Sequence, residues 1–309
     1  MTFDQPLFAV DIGNTRAKIC FWSFRAIRNA LSYDVGTVRV APACDDEKTD
    51  PSSSFEETEE WLHGLEIDEK PCRWVVSSVN AQKTNSLKKL IQRYRPNDSF
   101  VPLTLRDIPI DVEYDHPEKL GLDRATAAFA GLTRLGKGVP FLVVDVGTAA
   151  TIDYVDSEGV FKGGSILPGP RLTAEALSAK TAQLPMLKDP ENSELARQED
   201  ELRSPLAYPA TETSSAIRLG VVFTLVGAIA SFYWKTRRRI IEEGRNPNRL
   251  SLVLSGGNAR STEYNLLSYF DDLDFNLRFS VPRPRMYVEP RLVLDGIFEI
   301  ATSLPFNRR

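Results

Sequence analysis

The chain has 309 residues, 42% of them hydrophobic and 26% charged, with a formal net charge of −4. That length suits two ordinary domains and that hydrophobic fraction excludes a disordered chain, while the acidic balance removes any electrostatic case for nucleic acid or an anionic membrane. Three scattered cysteines and two histidines exclude a disulfide framework, a thiolate metal site and a histidine-rich centre, and fit a reducing cytoplasm.

No basic region followed by a long apolar stretch opens the chain, so no secretory leader is expected. Residues 7–10 read as a strand, 11–15 as a tight turn and 17–22 as a returning strand, a hairpin signature. The polar, acidic stretch 44–60 reads as a loop leading into a helix, with Ser54 and Glu57 spaced as a capping box. Residues 73–79 (RWVVSSV) read as a buried strand and 85–94 as an amphipathic helix. The alanine-rich 125–135 predicts a closely packed helix.

The opening pattern then returns. FLVV (141–144) is a strand, DVGT (145–148) a turn and 149–155 a returning strand, followed by a turn at 156–159 and a third strand ending in GGSILPG (163–169). The two copies, LFAVDIGNT and FLVVDVGTA, begin their turns at Asp11 and Asp145 and read as an internal duplication of a domain. The uncharged run 219–234 is shorter than the about 20 apolar residues a membrane span needs. It contains Gly, Thr and Ser and reads as a buried core helix. Residues 187–210 read as a surface excursion, LSLVLSGG (250–257) as a strand with a glycine turn, and 293–300 as a helix.

An Asp-x-Gly-x-Thr turn between strands suits phosphate chemistry. Its glycine admits close backbone approach, its successive amides point at an anion, and Thr15 or Thr148 adds a hydroxyl donor. The aspartate can orient a hydrated Mg²⁺. One such turn alone reads as an ordinary hairpin; two matched copies point to a nucleoside triphosphate gripped from both sides. Gly256 and Gly257 suit close approach to an adenine or ribose, or a plain strand-to-helix turn. Residues 163–164 and 168–169 read as stiff turns. GLTRLGK (131–137) imitates a P-loop, but Gly138 stands where Ser or Thr is required and a helix precedes it. Asp123, beside Arg124 before the alanine-rich helix, suits a helix cap or a catalytic carboxylate.

Together DIGNT, GLDR (121–124), DVGTAATID (145–153), GGSILPG and LSGGNA (254–259) resemble the type III pantothenate kinases, in that family's order and across nearly the whole chain. The resemblance implies an α/β fold: two ribonuclease H-like domains of the actin-like ATPase superfamily, with a cleft between them. They are expected over 1–124 and 125–309. It implies ATP-dependent phosphorylation of pantothenate to 4′-phosphopantothenate, the first step of coenzyme A biosynthesis, by a cytoplasmic homodimer. Asp11, Ile12, Gly13, Asn14, Thr15, Arg16, Ala17 and Lys18 would form the first ATP loop, with Thr148 a second ATP contact. Asp123 matches the proton acceptor, and Tyr114, Gly121, Leu122 and Arg124 would line the pantothenate site with it. Asp145 matches the ligand of a monovalent cation, K⁺ or NH₄⁺, required beside Mg²⁺. Thr213 falls where the family has a substrate-contacting threonine, although the Gly-x-Asn expected before it is absent and the preceding segment is longer. Another small-molecule kinase of the superfamily, or a non-catalytic regulatory relative, would share much of this pattern; Asp11, Asp123 and Asp145 favour an active kinase.

Overall fold

The computed structural model describes residues 6–13, 16–27, 30–35, 39–42, 71–187, 207–277 and 283–303. Asn14 and Thr15, the 44–60 stretch with its Ser54–Glu57 box, and most of the 187–210 segment lie outside the described residues. In chain order the elements are β1 (Leu7–Ile12), β2 (Arg16–Ile27), β3 (Ala30–Val35), β4 (Arg39–Pro42), β5 (Arg73–Ser78), α1 (Ala81–Tyr94), β6 (Ser99–Pro102) and β7 (Asp111–Val112). There follow α2 (Leu122–Leu135), β8 (Phe141–Val146), β9 (Ala149–Val155), β10 (Val160–Pro168), α3 (Pro170–Lys180) and α4 (Thr213–Glu242). The chain closes with β11 (Ser251–Ser255), α5 (Ala259–Leu277), β12 (Arg285–Val288) and α6 (Leu292–Ser303).

Two compact units result: Met1–Ile110 with Tyr114–Thr133 and Leu292–Arg309, and Asp111–Glu113 with Arg134–Arg291. In the first, the sheet order is β3-β2-β1-β5-β6, with β4 beside β2. β1 pairs antiparallel with β2 and parallel with β5, which pairs parallel with β6. Alternation along β1 turns Phe8, Val10 and Ile12 onto Trp74, Val76, Leu87 and Ile91. The Phe8 and Trp74 rings stack at 3.9 Å. Helix α1 starts at Ala81, earlier than its apolar period, because Asn80 accepts from the Lys83 amide at 3.0 Å. Asp98 ties the strand entry together, accepting from the Cys72 amide, the Trp74 indole and the Arg95 guanidinium. Burial foremost, then the Asp98 charge, pushes the Cys72 thiol up to about 12, so it stays a protonated, unreactive core group.

The second unit repeats the order: β12-β11-β8-β9-β10, with β7 added at the β10 edge. β8, β9 and β10 run antiparallel, and β11 and β12 parallel to β8. Leu142, Val144, Val146, Ile152 and Tyr154 pack against Leu225, Val226, Ile229 and Tyr233 of α4 and Leu266 and Phe270 of α5. Each such side chain contributes about 1.5–3 kcal/mol on burial.

Two readings need correction. GGSILPG is not a pair of turns: residues 163–168 run within β10, bulged between Phe161 and Gly164, and Gly169 caps α3. Helix α4 is not wholly buried. It is 30 residues long, with only 33% of its most apolar window buried. One face, including Val221, Leu225, Ile229 and Tyr233, meets the sheet, while Phe223 stays 55% exposed. Glu212 extends its start as a cap, and the pairs Arg238–Glu242 and Arg239–Glu243 carry it past the apolar run.

Candidate active site

Each central strand has an aspartate as its last residue but one, set in a row of three. In the first unit Asp11 on β1 is level with Lys18 on β2 and Ser77 on β5. In the second, Asp145 on β8 is level with Thr151 on β9 and Ser255 on β11. Paired residues in a sheet present their side chains on one face, so each row is a local donor set. The sets differ in charge. Lysine beside aspartate suits phosphate oxygens and a hydrated Mg²⁺, whereas a carboxylate among hydroxyls offers oxygen ligands only. Ser77 fits the first role, because its hydroxyl is fully buried and makes no hydrogen bond among the described residues.

Within the first loop, Ile12 and Ala17 are core side chains, so only their main chain can face a ligand. The Ile12 carbonyl accepts from the Val79 amide at 3.1 Å, matching the Val146 carbonyl, which accepts from the Asn258 amide at 3.3 Å. Both turns are thereby tied to the strand-to-helix connection that follows the neighbouring parallel strand. Gly13 is half-buried, and the side chain of Arg16 lies outside the description. Thr148 is exposed at the tip of the second turn, where Gly147 donates to the Ala149 carbonyl at 3.0 Å.

Gly256 shows how closely this second turn is built. Its φ is +85°, and a Cβ there would lie 2.5 Å from the Val146 carbonyl oxygen and 2.6 Å from Asp145 Oδ1. No side chain fits, for reasons of both conformation and space. A carboxylate oxygen and a main-chain carbonyl thus converge on bare backbone, two hard-oxygen donors side by side. Beyond it, Asn258, Ser261, Thr262 and Asn265 line one side of a cavity of about 30 Å³, faced by Val221, Val222, Leu225 and Val226 of α4.

GLDR forms the start of α2, three residues ahead of the helix expected from residue 125. Asp123 Oδ1 accepts from the Arg124 amide at 2.8 Å and would lie 2.5 Å from a Cβ at position 121, so Gly121 makes room for that carboxylate. The capping and catalytic readings of Asp123 are therefore compatible: one oxygen satisfies a first-turn amide and fixes the side chain. Leu122 is half-buried and Arg124 buried, while Tyr114, 37% exposed, belongs to the same unit. Thr213 is the exposed first residue of α4, in the second unit. Its neighbour Glu212 accepts from the Ser214 and Ser215 amides, which lowers the carboxyl to about 2. Sequence reasoning passed over Ser77, Thr151 and Ser255; the parallel between WVVSSVN and LVLSGGN was the available signal.

Two sheets of the same strand order, each with an aspartate as the last residue but one of its central strand, define a duplicated α/β fold. A candidate 2-dehydro-3-deoxygalactonokinase of Sinorhizobium meliloti shares the fold at a TM-score of 0.51, over 99% of this chain and 98% of that one, with 13% identity. The sequence pattern of the family described as "Type III pantothenate kinase" matches residues 7–235. A type III pantothenate kinase of Persephonella marina is 34% identical over 253 residues, 81% of this chain and 87% of the relative. One from Rubrobacter xylanophilus is 29% identical over 255 residues, 81% and 86% respectively. The chain belongs to the type III pantothenate kinase family, and its reaction is the phosphorylation of pantothenate by ATP in coenzyme A biosynthesis.

Proposed function

We propose that Asp123 is the general base of this reaction. Its free oxygen takes the proton of the pantothenate 4′-hydroxyl as that oxygen attacks the γ-phosphorus; the β–γ bridge bond breaks and ADP leaves. Phosphoryl transfer runs through a loose transition state, so a carboxylate suffices when well placed. The observation that supports this is the fixed Asp123 side chain, held by the Arg124 amide over Gly121. Gly121, Leu122, Arg124 and Tyr114 line the pantothenate site. Thr213 is a further substrate contact.

Residues 11–18 bind the ATP phosphates, with Lys18 neutralising charge and Asp11 orienting the waters of Mg²⁺; Thr148 is a second phosphate contact. Asp145, with the main-chain carbonyl of Val146, holds a monovalent cation, K⁺ or NH₄⁺. The outward apolar face of α4, with Phe223 55% exposed, supports a homodimer interface. The enzyme acts in the cytoplasm, in keeping with its thiol usage.

Purified protein incubated with ATP, Mg²⁺, potassium and pantothenate, with phosphopantothenate measured, tests the set together. Omitting potassium tests the cation, and sedimentation of Phe223→Glu against the parent tests the dimer. A Phe223→Glu protein sedimenting like the parent would remove α4 from the interface.

A further inference from the structure

Glycine is among the poorest helix formers, yet Gly296 stands in the middle of α6. The packing supplies the reason. A Cβ at 296 would lie 2.8 Å from the Thr126 carbonyl oxygen, 2.9 Å from Thr126 Cγ2 and 3.1 Å from Ala130 Cβ. All three atoms belong to α2, so the two helices cross as closely as a glycine hydrogen allows. Thr126 lies three residues beyond Asp123, on the turn that follows it.

Helix α6 is held from behind as well. It packs on the sheet through β1 and β5, and Leu294, Ile297, Ile300 and Ala301 are buried. Arg73 of β5 donates to the Ala301 carbonyl at 3.1 Å, Phe298 stacks on Trp22 of β2 at 5.1 Å, and Glu299 accepts from Thr133 at the far end of α2. One helix therefore touches both the strand that carries Asp11 and the helix that carries Asp123 in its first turn.

We propose that Gly296 is a positioning residue: by setting how deeply α2 seats against α6, it sets where the Asp123 carboxylate stands for proton transfer. The inference rests on the reading of Asp123 as the base. A methyl group added at 296 must move α2 outward by some tenths of an ångström, because α6 has the sheet behind it. Proton and phosphoryl transfer tolerate such displacements poorly; about 1 Å can cost roughly 10²-fold in rate.

The test is steady-state kinetics of Gly296→Ala with thermal melting alongside. The folded variant should lose about tenfold in kcat, a fraction of that loss, with KM for ATP within about twofold of the parent. Thr126→Ser removes Cγ2 and keeps the buried hydroxyl; in the Gly296→Ala background it should recover part of the lost kcat, because the close contact with the Thr126 carbonyl oxygen remains. An unchanged kcat, a loss that merely follows the unfolded fraction, or no recovery in the double variant would each overturn the proposal. Should Gly296→Ala fail to fold, Ala130→Gly opens the same crossing from the α2 side. It should lower kcat severalfold at constant KM for ATP, and wild-type turnover there would overturn the inference. Asp123→Asn, run in parallel, separates the two claims. Full turnover in that variant removes the base assignment, whereas an inactive Asp123→Asn beside a fully active Gly296→Ala removes only the role of Gly296.

Discussion

The two sheets share an order and a register, and differ at the neighbours of their central aspartates. β1 with β2 and β5 has the same pairing as β8 with β9 and β11, and the level partner on the parallel strand is serine both times, Ser77 and Ser255. Across the hairpin the first sheet carries Lys18 and the second Thr151. One position further along, the first has Ser78, whose hydroxyl bonds the Asn80 amide at 3.0 Å, and the second has the bare Gly256 beside Asp145. Duplication supplied the frame. Divergence at two or three positions gave one aspartate a cationic neighbour and the other an all-oxygen one, the difference on which the proposed split between phosphate and monovalent-cation binding rests.

Asp123 has no counterpart in this comparison, since neither row contains it, and it is expected to carry the largest effect. Asp123→Asn should lower turnover on the order of 10²-fold or more while ATP still binds, as isothermal titration would show. Next in size is the division between the rows. Wild-type enzyme should turn over severalfold faster in potassium than in sodium, and Asp145→Asn should erase that ratio. Asp11→Asn should keep the ratio and instead raise the Mg²⁺ concentration needed for half-maximal rate. A potassium preference that survives Asp145→Asn would mean the rows have not diverged in the way their neighbours suggest.

The glycine in the second row sharpens the contrast at the level of stability. Gly256→Ala forces a Cβ into left-handed backbone, about 1–2 kcal/mol, and against the Val146 carbonyl, so a melting temperature lowered by several degrees is expected. Ser78→Ala, the matching site in the first sheet, removes the two hydrogen bonds its hydroxyl makes with the Asn80 carbonyl and amide, each worth about 1 kcal/mol. An unchanged melting temperature in Gly256→Ala would indicate that the close approach of Asp145 and the Val146 carbonyl to residue 256 relaxes without cost.

Much of this was legible in the sequence because the duplicated hairpins are local: alternation, an aspartate and a glycine lie within nine residues of one another. The strand LSLVL and the alanine-rich helix were readable for the same reason. What pairs across distance was not. Ser77 and Ser255 join the aspartate rows only through parallel register, fixed by strands 66 and 110 residues away from Asp11 and Asp145 in sequence (77 − 11 and 255 − 145). The closing helix packs with the first unit although it ends the chain, which a division at residue 124 does not convey. GGSILPG misled because glycine pairs usually mark turns, whereas here a bulge absorbs them inside a strand. Helix α4 exceeded its apolar run because its extensions rest on a cap and on i,i+4 ion pairs, which hydropathy does not register.

The smallest expected effect compares two helix starts. Helix α1 is capped by the neutral amide of Asn80, and α4 by the carboxylate of Glu212, which accepts two amides at 2.8 Å each. Those bonds lower the Glu212 carboxyl from 4.5 to about 2 in the folded chain. A depressed folded value means the cap contributes fully above the ordinary carboxyl value and is lost as pH falls toward 2. Amide exchange at Ser214 and Ser215, corrected for intrinsic rates, should therefore accelerate progressively between about pH 4.5 and 2, while exchange at Lys83 behind Asn80 stays flat. Glu212→Gln should remove the pH dependence and retain part of the protection, because its carbonyl oxygen still accepts. Protection at Ser214 that is independent of pH in the parent protein would show that the start of α4, and with it the exposed Thr213, is held by something other than this carboxylate.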